Sequence, residues 1–149
     1  IHARIGEAAF GTTPGEAELM ATLRSDREEV LDRLREESVH LAQRVAESNG
    51  LELTHRWTDH FPVTNNHPEA VAIVEAVAAD QGVHVALRDD AYPWSEDFGW
   101  FTQRYRGAIF GLGAGQEHPA LHSPGYDFPD DLIPLGVGVF EGLVKRLLR

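Results

Sequence analysis

The feature that most restricts the fold is "FPVTNNHP", residues 61–68, with two prolines and two asparagines in eight residues. Neither a helix nor a strand runs through such a stretch, so it reads as a linker or hinge. The sequence changes texture on either side of it. We therefore expect an α/β chain in two lobes: a small α+β lobe over 1–63 and part of an α/β sheet domain over 64–149.

The first lobe opens with alternating residues from Ile1, followed by the Pro14-Gly15 turn signal and a second alternating run, "AELMATLRS". Together they predict an antiparallel hairpin. Asp26 is placed to cap the helix that follows, with Glu28 and Glu29 complementing its dipole. Val30, Leu34, Leu41 and Val45 give that helix an apolar face, and Asn49-Gly50 stops it. "LELTHRW" alternates again, so the lobe reads as β-β-α-β, one helix on a small sheet.

In the second lobe, Pro68 and Gly82 bracket a helix at its first position and its end. "VHVAL" reads as a short strand and "GAIFGLGAG" as a buried one. "SEDFGWFTQR" reads as a helix capped by Ser95, with Glu96 and Asp97 in its first turn. The last helix starts at Asp130 or Asp131 and is expected to bury Phe140, Leu143, Val144 and Leu147. Gly136, Gly138 and Gly142 weaken it intrinsically, which suggests close packing against a sheet. The strands are too few for a complete sheet. The chain also begins at Ile1, already in strand-like alternation, and we expect a longer protein with residues before it.

Composition excludes several classes. The formal net charge of −11 argues against a nucleic-acid or anionic-membrane surface. No apolar run approaches the roughly 20 residues of a membrane span, and the first residues lack the pattern of a secretory signal. With no cysteine there is no disulfide framework. A cytoplasmic location fits that composition.

The eight histidines form neither HxH nor HExxH. His55 and His84, each alone on an expected strand, read as ordinary surface or satisfied residues. His118 and His122 are four apart, but Pro119 between them and Ser123-Pro124 after them favour a loop. Glu96 and Asp97 are explained by helix capping, or else by orienting a ligand histidine from behind. Arg24 reads either as a solvated side chain or as a clamp for a carboxylate. The charged face from Glu28 to Glu37 reads as a solvated surface. "GLGAG" lacks the residues of a phosphate loop.

The stretches "SEDFGWFTQR" and "GAIFGLGAGQEHPALHSPGYDFPDDLIPLGVGVFEGLVKRLL" resemble, in order and spacing, the metal-dependent amidohydrolases of the aminoacylase and carboxypeptidase family. The similarity is closest to its hippurate hydrolase and N-acyl-amino-acid amidohydrolase branch, and "LHSP" is the most specific part. The first lobe resembles that family's lid and dimerisation domain, lacking its first strand and helix.

The resemblance implies a full-length enzyme that cleaves the amide of N-acyl amino acids with two divalent ions, zinc or manganese, and dimerises through the lid. It makes His122 a metal ligand and places Glu96 and Asp97 beside the metal site. It sets Arg24 near an arginine that recognises the substrate carboxylate. The catalytic glutamate and the remaining ligands are expected upstream, so this chain alone is expected to be inactive. Gly11 stands where relatives carry a substrate-binding asparagine. The alternative is a non-catalytic dimerisation or binding module derived from the same family.

Overall fold

The computed structural model describes residues 1–148; Arg149, the last residue of the expected final helix, lies outside the described residues. The architecture is mixed α/β: four helices and a two-stranded antiparallel sheet among the described residues. The chain divides into two compact units, Ile1–Val63 and Thr64–Arg149.

In the first unit, β1 (His2–Ile5) pairs antiparallel with β2 (Ala17–Met20), with His2 opposite Met20 and Ile5 opposite Ala17. This is the expected hairpin. Gly6 N–H donates to the Glu16 carbonyl at 3.0 Å, extending the pairing into the connection. Helix α1 (Glu28–Ser48) starts with its two glutamates and ends at Asn49, with Gly50 at φ +66°. That is the left-handed exit a glycine accepts most readily.

Three expectations for this unit are corrected. Asp26 does not cap α1: Arg27 occupies the capping position without a side-chain bond, and its N–H is held by Ser25 Oγ at 3.1 Å. "LELTHRW" is not a strand, and the helix does not lie on the sheet. A strand exists only with a ladder partner, and two short, exposed strands offer too little apolar face to dock a helix.

The segment 55–63 runs along α1 instead. Arg35 lies over the Trp57 ring at 5.2 Å, and His55 meets the same ring edge-on at 6.4 Å. Glu28 accepts the Val63 N–H at 3.2 Å and pairs with His60 at 3.6 Å. This turns the helix away from the expected orientation. Leu34, Leu41 and Val45 are exposed, while Ala46 is buried. The charged face is also more than a solvated surface, since Glu28 and Arg35 hold the return segment.

In the second unit, α2 (Pro68–Asp80) has Pro68 at its first turn. His67 caps it, its ring accepting the Glu69 N–H, and Gly82 follows at φ +69°. Helix α3 (Gly99–Thr102) is a single turn, and α4 (Leu132–Leu147) closes the unit. The core lies between α2 and α4, where Val77, Ala78 and Val139 are buried. Gln81 Nε2 donates to the Gly138 carbonyl at 2.7 Å, and Arg146 pairs with Asp80 at 3.0 Å.

Gly138 and Gly142 of α4 therefore serve a helix–helix contact with α2, and no sheet is present for them to pack on among the described residues. A Cβ on Gly142 would come within 2.6 Å of Val77, and one on Gly138 within 3.2 Å of Gln81; Gly136 faces Leu112. Because that edge is the buried one, the expected face is not. Phe140, Val144 and Leu147 are exposed, and Leu143 is half-buried.

Neither "VHVAL" nor "GAIFGLGAG" forms a strand among the described residues. Residues 107–110 are half-buried, and Gly107 and Ile109 bond to residues 66 and 67. His67 N–H donates to the Gly107 carbonyl at 2.8 Å. The Asn66 amide then imitates the next rung of a ladder: Nδ2 donates to the Ile109 carbonyl at 2.8 Å and Oδ1 accepts its N–H at 2.9 Å. The Asn-Pro stretch is thus fastened, at its C-terminal end, by a two-point side-chain bridge. Asn66→Ala should destabilise the chain by about 1–2 kcal/mol, since two hydrogen bonds are lost at once. Urea unfolding measures this, and an unchanged midpoint would refute the bridge.

Candidate functional site: the His122 loop

The loop between the 107–115 run and α4 is built from successive tight turns. Ser123 N–H donates to the Ala120 carbonyl at 3.0 Å, and Tyr126 N–H donates to the Ser123 carbonyl at 3.0 Å. His122 occupies the third position of the first turn with φ +68°. That is the left-handed conformation a type II turn requires there, and one that a side chain other than glycine or asparagine adopts at a cost.

The same loop is pinched at its ends. The His118 ring meets Tyr126 edge-on, centroids 5.1 Å apart, and His118 Nδ1 lies 3.1 Å from the Pro119 carbonyl. His122 is midway between the two clamped residues, exposed, with no hydrogen bond or ion pair to another side chain among the described residues. His118 is half-buried. Its edge-on contact with Tyr126 joins the two ends of the loop, which sequence spacing does not reveal.

Beneath the turn, Ser123 Oγ is buried without a hydrogen-bond partner. No sequence signal marks it beyond the Ser-Pro turn it opens.

The other expected site residues are placed differently. Glu96 and Asp97 are exposed and precede α3, whose first residue is Gly99. Their carbonyls accept from Gly99 and Trp100, but no side chain caps the helix, so the expected Ser95-capped helix with the two acids in its first turn is corrected. Phe98 and Phe101 stack with ring centroids 5.8 Å apart. Arg24 is exposed in the connection between β2 and α1 rather than at a strand end. Among the described residues, no three His, Asp or Glu side chains gather around a point where a metal ion could sit.

The donor chemistry present is therefore one accessible imidazole on a constrained turn. It suits one coordination position of a divalent ion, not a whole site.

The sequence matches the family model "Peptidase family M20/M25/M40" over residues 4–146. This chain belongs to peptidase family M20/M25/M40. Among curated proteins, a relative from Bacillus subtilis (strain 168), "Putative amidohydrolase YhaA", is 25% identical over 143 residues. The alignment takes in 93% of this chain and 36% of that relative, so the M20 chain spans little over a third of its relative's length. No solved structure gives a significant match. No helix among the described residues is long and apolar enough to cross a membrane.

Proposed function

We propose that this M20 chain supplies one ligand, His122, to the divalent-metal site of a hydrolase that cleaves the amide of N-acyl amino acids. The observation that carries this reading is the exposed His122 imidazole on a left-handed turn, in a loop whose flanking residues His118 and Tyr126 meet edge-on. A residue held in that conformation by its surroundings is a sign of function. Membership of the M20 family and the amidohydrolase name of the relative support the reaction class.

When bound, a divalent ion such as zinc or manganese activates water and polarises the amide carbonyl. The chain's own part is to present the His122 imidazole from a constrained turn. The exposed Arg24 is a cation available to the carboxylate of the substrate. Glu96 and Asp97 remain acids for orienting the site. Residues 1–63 serve as lid and dimer surface, and 64–149 as part of the metal-binding domain. The protein works in the cytoplasm, in keeping with its lack of cysteine.

The test uses the full-length protein. After dialysis against a chelator, hydrolysis of a panel of N-acyl amino acids should fall by more than about tenfold, and added Zn(II) or Mn(II) should restore it. Hydrolysis indifferent to the chelator would refute the metal mechanism. Absence of any amidase activity in metal-loaded protein would favour a binding module.

A further inference from the structure

The boundary between the two compact units falls between Val63 and Thr64, inside the stretch of prolines and asparagines at 61–68. On the first unit's side, Pro62 is buried and its ring fixes φ. Val63 N–H donates to Glu28 Oε2 at 3.2 Å, and His60 pairs with the other oxygen of that carboxylate at 3.6 Å. On the second unit's side, the Asn66 amide holds both the N–H and the carbonyl of Ile109. His67 N–H is held by the Gly107 carbonyl, and Pro68 restricts the backbone of His67. Thr64 and Asn65 stand between these ties. Neither makes a hydrogen bond among the described residues, and Asn65 is exposed.

Each outer part of the stretch is thus tied to its own unit, and the two middle residues to neither. We infer that Thr64-Asn65 is a two-residue joint at which the units reorient, and that Glu28 and Asn66 are positioning residues that confine the motion to it. Domain motions are absorbed by a few loop residues that accept large φ/ψ changes. With planar peptide bonds the joint has about four soft dihedrals, two per residue. Losing the tie at Val63 or at Asn66 adds about two more. Both prolines lie outside the joint, where they stiffen its flanks and leave its own dihedrals open. The inference stands whether or not the first unit covers a metal site.

The test is the distribution of distances between spin labels at Glu37→Cys in α1 and Ala79→Cys in α2, both exposed positions. It is measured by pulsed electron spin resonance in the full-length protein, with any other cysteine replaced. Asn65→Pro fixes φ at 65 and restricts ψ at 64, so it should narrow the distribution by roughly a third to a half. Glu28→Ala and Asn66→Ala should each broaden it by roughly a quarter to a half. Glu28→Gln keeps an acceptor for Val63 N–H and should match the parent. Asn65→Pro removes no hydrogen bond, so it remains informative if an alanine variant unfolds. A parent distribution as narrow as that of two labels within α1 overturns the joint, as does a width that Asn65→Pro leaves unmoved. Widths unchanged by both alanine variants, or broadened equally by Glu28→Gln, overturn the role of the ties.

Discussion

His122→Ala in the full-length protein should reduce Zn(II) affinity by more than about 100-fold and remove amide hydrolysis, while the protein stays folded. The magnitude follows from comparison with indirect effects. Removing a group that merely orients a ligand costs 10- to 100-fold, so removing the ligand itself exceeds that range. The expectation of an intact fold follows from the site. His122 is exposed and bonds no other side chain, so alanine deletes no packing. The left-handed backbone at φ +68° is slightly harder for alanine than for histidine, which limits the loss of stability to about 1 kcal/mol. Metal content by elemental analysis and turnover on the best N-acyl substrate decide the matter. Normal metal stoichiometry with normal turnover would remove His122 from the site altogether. His122→Gly is the companion variant: it relieves the backbone and still deletes the imidazole, so it should be as inactive and more stable.

Gly142→Ala should destabilise the second unit by up to about 2 kcal/mol, even though alanine is the better helix former. Propensity alone favours alanine by about 1 kcal/mol. Against it stands the contact with α2, where the new Cβ would lie 2.6 Å from Val77 Cγ1 and 2.7 Å from Gln81 Nε2. Gln81 can swing aside, although it would surrender its bond to the Gly138 carbonyl. Val77 cannot, because it is buried at the centre of the contact. Overpacking of this kind costs about 1–3 kcal/mol and outweighs the propensity gain. Gly138→Ala is the internal control. Its Cβ meets only the end of the Gln81 side chain at 3.2 Å, so propensity should win and stability should hold or rise by about 0.5 kcal/mol. Thermal unfolding of the two variants should therefore shift in different directions. Equal shifts would mean that the α2–α4 contact is looser than described.

What could be read from sequence sorts by the range of the interaction responsible. The ends of α1 and α2 were legible at Asn49-Gly50, Pro68 and Gly82 because caps and left-handed exits are local chemistry. The hairpin was legible for the same reason. The strands expected at 51–57, 83–87 and 107–115 failed because alternation shows only what a segment could do beside a neighbour; no ladder partner is present for them among the described residues. The buried side of α4 was misjudged because two of its edges have helical periodicity. Close approach at Gly138 and Gly142 selected the narrow edge over the one bearing Phe140 and Val144. At the site, the position of His122 in a turn was visible in Ser123-Pro124. Its left-handed backbone, the clamp of His118 on Tyr126 and the idle hydroxyl of Ser123 depend on residues meeting in space, which spacing does not encode.

The Asn66 bridge gives the protein a chemical shelf life. An asparagine amide is among the side chains that hydrolyse with time and heat, and here its single nitrogen is the donor of a structural bond. Conversion to aspartate leaves the acceptor for the Ile109 N–H in place but turns the other arm into an oxygen facing the Ile109 carbonyl. One attractive contact becomes repulsive without any change in size. Aged or heated samples would thus lose the fastening between 66 and 109 before any peptide bond breaks.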